Sequence, residues 1–181
     1  MTLPVHGAVR LGAYGPALRR LITGAKYEGR SEVLALLGEE LARSVLREPW
    51  GTTVDAVIPV PSSWSRRVSR PLHLPSELAH VLSRRLHRPV MRLLERVGHP
   101  RPQTGLTITA RRNNVRGTFR LARGVTIEGS SLLVVDDVMT SRATVFECAR
   151  VLRRAGAESV YAATVAKTEP PRALPFIGMP S

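Results

Sequence analysis

At 181 residues, with 43% hydrophobic residues and a formal net charge of +13, the chain has the size and apolar content of one domain with a real core. It contains no long uncharged apolar run, which argues against a transmembrane helix, and MTLPVHGAVR lacks the basic, apolar and small-residue regions of a secretion signal. A soluble, cytoplasmic protein without membrane insertion is expected, and the single Cys148 leaves no internal disulfide and no cysteine-based zinc cluster.

Residues 9–25 read as partly helical, with Pro16 suited to a first turn. Lys26-Tyr27-Glu28-Gly29-Arg30 is a polar break. Residues 31–47 are amphipathic: Val33, Leu34, Leu37, Leu41 and Val45 share a face, Ser31 is the expected N-cap, and Glu39 and Glu40 fall on the outer side. Pro49 and Gly51 end this unit. A strand over 54–60 runs into Pro59 and Pro61, which remove ladder donors.

The next stretch is basic. Between Arg66 and Arg123 fourteen arginines face only two acids, Glu77 and Glu95, so nearly all the net charge sits there. Compositional bias explains arginine in place of lysine but not the missing acids. A polyanionic partner is implied, either nucleic acid or pyrophosphate groups. Arg66, Arg67 and Arg70 fall in a loop over 62–75 that suits such a partner by charge, or is a solvated basic surface. Residues 76–86 read as a helix capped by Ser76, and 89–94 as a strand. His73, His80 and His87 are spaced too irregularly for a metal site. Residues 98–109 are polar and too long for a hairpin, as lids often are. A helical turn over 109–115 and a strand over 118–121 follow, then a turn at Glu128-Gly129.

The chain centres on 132–144, LLVVDDVMTSRAT. A buried strand ends in Asp136 and Asp137, a turn of small and hydroxyl residues follows, and a helix spans 145–155 with Gly156 beyond its end. The free N–H groups of a helix N-terminus favour a phosphate. Carboxylates at a strand's carboxyl end accept hydrogen bonds from sugar hydroxyls or sit near hydrated Mg²⁺. A phosphorylated sugar is the implied ligand; the plainer alternative is a solvated acidic turn. A further strand covers 159–166, and the tail carries four prolines. Alternating strands and helices predict an α/β fold, a mostly parallel doubly wound sheet flanked by helices. The expected organisation is an N-terminal helical segment over 1–50, the main domain over 51–168 and a flexible tail over 169–181.

The central stretch resembles the phosphoribosyl pyrophosphate (PRPP) motif of type I phosphoribosyltransferases, with Thr140, Ser141, Ala143 and Thr144 in the turn and Arg142 where that family usually has glycine. Three further segments resemble the ComF family: Lys26-Tyr27-x-Gly29-Arg30; DAVIPVP over 55–61; and RPQTGLTITARRNNVRGTF over 101–119, through Gln103, Thr104, Leu106, Arg111, Asn114, Val115 and Phe119. Together they span roughly 24–167. The chain departs from that family in lacking the four-cysteine zinc ribbon of many relatives and in keeping only Arg70 of an Arg-Gly-Phe-Asn-Gln segment.

The resemblance implies a type I phosphoribosyltransferase-like fold. It implies PRPP held by Asp136, Asp137 and Thr140 to Thr144, with Mg²⁺ through the acidic pair and no zinc. It places pyrophosphate on the Arg66, Arg67 and Arg70 loop and a lid at Gln103, Thr104, Arg111 and Asn114. It further implies a role in natural competence beside the DNA-uptake machinery, and a homodimer. Single-stranded DNA would be bound through Arg66, Arg67, Arg70, Arg111, Arg112 and Arg116. The alternative is a working enzyme in which Asp136 and Asp137 are catalytic and phosphoribose passes from PRPP to a base.

Overall fold

The computed structural model describes residues 4–61, 73–97, 115–140 and 142–168. In chain order the elements are β1 (Gly7–Ala13), α1 (Pro16–Tyr27), α2 (Ser31–Leu46), β2 (Ala56–Pro59), α3 (Leu74–Leu86), β3 (Leu94–Arg96), β4 (Phe119–Leu121), β5 (Ser131–Met139), α4 (Ala143–Arg154) and β6 (Ser159–Lys167). Among the described residues the main sheet has four strands in the order β1-β6-β5-β2, all parallel, and β3 pairs antiparallel with β4 in a separate ribbon. The expected mostly parallel sheet flanked by helices is therefore present.

β5 sits inside the sheet because it is apolar on both faces, as strands of parallel sheets are. Leu133 and Val135 pack into a core with α1, α2 and α3, including Leu37, Leu41, Leu78 and Leu82. Leu132 and Val134 pack on the other side with Cys148, Ala149 and Leu152 of α4 and Phe119 of the ribbon. Each fully buried leucine contributes roughly 1.5–3 kcal/mol. α2 and α3 approach closely at Gly38, where an added Cβ would lie 2.7 Å from Val81 Cβ.

Several expected boundaries move. Residues 7–13 form an edge strand instead of the start of a helix, because pairing with β6 from Gly7↔Tyr161 to Ala13↔Lys167 outweighs weak local preference. Pro16 does stand in the first turn of α1. That helix runs through Lys26 and Tyr27, so the break shrinks to the residues around Gly29, whose φ is +63°. Arg30 is the N-cap of α2 and Ser31 its first residue. α3 likewise begins before Ser76, at Leu74 after His73, with Pro75 in the first turn. Ser76 Oγ instead lies 2.6 Å from His73 Nδ1.

The strand expected over 89–94 divides. Val90 makes one parallel bridge to Val57, and pairing with β4 begins only at Leu94. Pro89 accepts from Val57 N–H but has no N–H to donate onward. Gly156, at φ +98°, follows α4 as expected.

Candidate functional site

The carboxyl ends of the parallel strands define one edge of the sheet. Asp136 and Asp137 lie there, but not at the end of β5, which continues through Val138 and Met139 in register with Ala166 and Lys167. The pair is folded in on itself. Asp137 N–H donates to Asp136 Oδ1 at 2.9 Å, and Val138 N–H donates to Asp137 Oδ1 at 2.8 Å.

The partner that sequence reading missed is Lys26. Its ammonium, in the last turn of α1, forms an ion pair with Asp137 Oδ2. Side-chain exposures of 22% for Lys26 and 14% for Asp137 make it a shielded contact. The signal was available in the Lys26-Tyr27-x-Gly29-Arg30 segment, but nothing in sequence separation pointed to Asp137.

The two carboxyls have opposite electrostatics. Burial, then the charge of Asp137 and a hydrogen bond to it, raise the Asp136 pKa well above the usual carboxylate range. Burial also acts to raise Asp137, but the Lys26 charge and hydrogen bond, with those from Asp136 and Val138, leave it below the ordinary value. Two adjacent buried carboxyls thus divide into one that favours its proton and one that favours its charge.

Around them, Asp136 is in register with Thr164 on β6, whose buried hydroxyl has no hydrogen-bond partner among the described residues. The Cys148 thiol of α4 is fully buried; burial first, and then the Asp136 charge, push its pKa up. It behaves as the core thiol its place in the helix suggested.

Of the turn residues, Thr140 is exposed and its carbonyl accepts from Thr168 Oγ1 at 2.6 Å. Arg142 precedes α4 with φ −60° and ψ −5°, right-handed helical values open to any residue. So this position does not require the glycine of the related motif. Ala143 is buried and Thr144 half-buried at the start of α4, where no side chain caps the helix. Ser141 lies outside the described residues.

β2 is hydrogen-bonded to β5, and Val60 N–H donates to Val135 O at 2.9 Å, so the chain leaves β2 beside the acidic pair. The loop residues Arg66, Arg67 and Arg70 lie outside the described residues, as do Gln103, Thr104, Arg111, Arg112 and Asn114, and the segments 98–109 and 169–181. Arg116 is exposed beside the Glu147 cluster. There Glu147, buried on α4, accepts Gly117 N–H at 2.6 Å and Arg150 Nη2 at 2.5 Å, tying the start of β4 to α4. No described helix is long and apolar enough to cross a membrane.

No protein-family model matches the chain. Curated proteins do. The chain is 31% identical over 170 residues to the DNA utilization protein YhgH of Salmonella typhi, covering 91% of this chain and 74% of that one. It is 32% identical over 177 residues to the protein of the same name from Escherichia coli O157:H7, at the same coverage. Among solved structures, the glutamine PRPP amidotransferase from B. subtilis aligns with a TM-score of 0.48 and 24% identity, covering 71% of this chain and 25% of that one. The chain thus spans about a quarter of that enzyme. The adenine phosphoribosyltransferase from Leishmania donovani aligns with a TM-score of 0.48 and 9% identity, covering 80% of this chain and 68% of that one. By its identity and coverage against the curated relatives, the chain belongs to the family of the DNA utilization protein YhgH.

Proposed function

We propose that this chain is a ComF-like protein on a phosphoribosyltransferase scaffold that works in DNA uptake and utilisation, and that it binds single-stranded DNA through its basic segment. The observation that carries this reading is the likeness to DNA utilization proteins over 91% of the chain. The charge distribution supports it: fourteen arginines and two acids between Arg66 and Arg123 make a strong polyanion-binding stretch. Arg116 is exposed within it, and Arg66, Arg67, Arg70, Arg111 and Arg112 are the further contacts of this reading. Few aromatic residues accompany these arginines, which favours backbone contact over base readout.

The test is a salt titration of oligothymidylate binding. Replacing Arg111, Arg112 and Arg116 by glutamine weakens binding and flattens the dependence of log K on log salt by about 0.7 per lost phosphate contact. Undiminished binding by that variant removes the basic segment as the DNA contact.

A second reading is a Mg²⁺-dependent phosphoribosyltransferase. It is favoured by the acidic pair near the carboxyl end of β5 followed by a turn and the N-terminus of α4. Asp136 and Asp137 would accept the ribose hydroxyls, and the start of α4 would receive the 5′-phosphate. Two carboxylates suit Mg²⁺ in type and number, since this ion keeps several waters and takes the rest of its ligands from phosphate. Bound there, it would neutralise charge on the pyrophosphate. Lys26 already occupies Asp137 Oδ2, so ribose and cation compete with the ammonium for that carboxylate.

A further inference from the structure

α1 has a second face. Leu18, Ile22 and Ala25 turn toward the core. Arg19, Arg20 and Thr23 share the opposite side with Pro16 at i, i+3, i+4 and i+7 spacing, and line a cavity of about 800 Å³. Tyr14, Gly15, Glu28 and Arg30 complete it.

The cavity lies at the same edge of the sheet as the acidic pair and runs along the outer face of α1, from Tyr14 ahead of its first turn to Glu28 and Arg30 beyond its last. Tyr14 follows β1 directly, and its N–H donates to Lys167 O at the end of β6 at 2.8 Å. Its chemistry differs from that of the acidic pair: three guanidiniums and a single carboxylate line it. Arg30 Nη2 pairs with that carboxylate, Glu28 Oε2, at 2.6 Å. Arg19 and Arg20 are exposed and have no ion-pair or hydrogen-bond partner among the described residues. No side chain caps the N-terminus of α1, which opens on the same space.

We propose that this cavity is a binding site for a phosphate-bearing nucleotide unit, with phosphate on Arg19 and Arg20 and the Tyr14 ring beside the sugar and base. The volume is that of a nucleotide-sized pocket. Two unpartnered guanidiniums on successive residues offer forked donors to phosphate oxygens. An aromatic wall accepts any base by stacking. Glu28 stays engaged with Arg30 and so leaves the charge of Arg19 and Arg20 uncompensated. The inference goes beyond the DNA reading, because a free nucleotide satisfies the site as well as a unit of a strand does.

Equilibrium binding of fluorescein-labelled thymidine monophosphate and of a twelve-residue oligothymidylate distinguishes these sources on the full chain. Binding of the mononucleotide marks a free nucleotide as sufficient. Binding of the oligomer alone marks a strand. In either case Arg19→Gln/Arg20→Gln weakens the bound ligand at least tenfold. Thr23→Trp, which fills the cavity without changing charge, does the same. Arg47→Gln/Arg154→Gln removes the same charge from exposed positions on and after other helices, outside the basic segment, and changes binding less than twofold. Circular dichroism melts establish that each variant folds. Equal losses in the two arginine pairs overturn the site in favour of diffuse charge. Oligomer binding that survives Arg19→Gln/Arg20→Gln and Thr23→Trp also overturns it while leaving DNA binding intact. Failure of the wild type to bind either ligand overturns it outright.

Discussion

Lys26 and Asp137 are joined by an ion pair that fastens the last turn of α1 to the carboxyl-terminal part of β5. Both charges are shielded, so removing one strands the other. Lys26→Met and Asp137→Asn each lower stability by about 1.5–3 kcal/mol, the range for a hydrogen bond to a charged group. In a double-mutant cycle by urea unfolding, the double variant loses less than the sum of the singles, because the second change removes a charge already unpaired. Strict additivity would mean that the pair contributes nothing to the fold.

The parallel sheet and the core of this site were legible because local pattern and tertiary role agree there. The apolar run of β5 and the i, i+3, i+4 faces of α2 and α4 each bury what their periodicity indicates. What escaped was long-range. β1 is a strand because β6 lies beside it, and seven residues with two glycines carry little sign of that. The acidic pair was evident from its spacing, but its opposite protonation preferences come from burial and from Lys26, neither of which is written in 132–144. Arg142 illustrates the converse: it stands where the related motif has glycine, yet the backbone there is right-handed and needs none.

Asp136 and Asp137 oppose each other in their dependence on pH. Asp137, with a lowered native pKa, contributes stability that is present above its unfolded value of about 3.9 and lost as pH falls through the native one. Asp136, with a raised native pKa, binds its proton more tightly when folded, so its contribution weakens as pH climbs from about 3.9 through the native value. Asp136→Asn keeps an acceptor for Asp137 N–H and abolishes the cost of burying a charge. It is therefore more stable than wild type at pH 7, by about 1 kcal/mol or more, and the advantage shrinks as pH approaches 4. Thermal melts from pH 4 to 8 read this directly, and a destabilised Asp136→Asn at pH 7 contradicts it.

Gly38 permits the approach of α2 to α3. Its missing Cβ would meet Val81 Cβ and Cγ1 at 2.7 Å, both of them on a buried, branched side chain with little freedom to retreat. Gly38→Ala gains helix propensity but overpacks this contact, for a net loss of about 1–3 kcal/mol. The Tm falls by roughly 3–10 °C. Gly38→Ala/Val81→Ala recovers part of the loss, which separates steric overpacking from any effect of α2 alone.

Glu147 anchors the ribbon to α4. Hydrogen bonding from Arg150 holds its carboxyl below the usual range against some burial, with help from Gly117 N–H. Glu147→Ala leaves Gly117 N–H and Arg150 without their acceptor and costs about 2–3 kcal/mol. Because the native pKa is lowered, wild type loses this advantage as pH falls through that value, and wild type and variant converge in acid. Hydrogen exchange reports the location: protection drops first at Gly117, whereas loss spread evenly over the sheet contradicts the anchoring role.

The acidic pair is tested by ligand. Thermal unfolding with PRPP and Mg²⁺ at a hundred times Kd adds about 2.7 kcal/mol. On the phosphoribosyltransferase reading the Tm of a chain of this length then rises by roughly 5–10 °C. On that reading Asp137→Asn removes the rise, because it removes a carboxylate proposed to hold ribose and cation. Lys26→Met enlarges it, because the ammonium that competes for Asp137 Oδ2 is gone. The variant starts from a lower Tm, so the shift, not the midpoint, is the measure. A rise in Lys26→Met alone identifies Lys26 as the group that holds the site closed. No rise in either protein ends the phosphoribosyltransferase reading and leaves polyanion binding through the arginines as the chemistry of the chain.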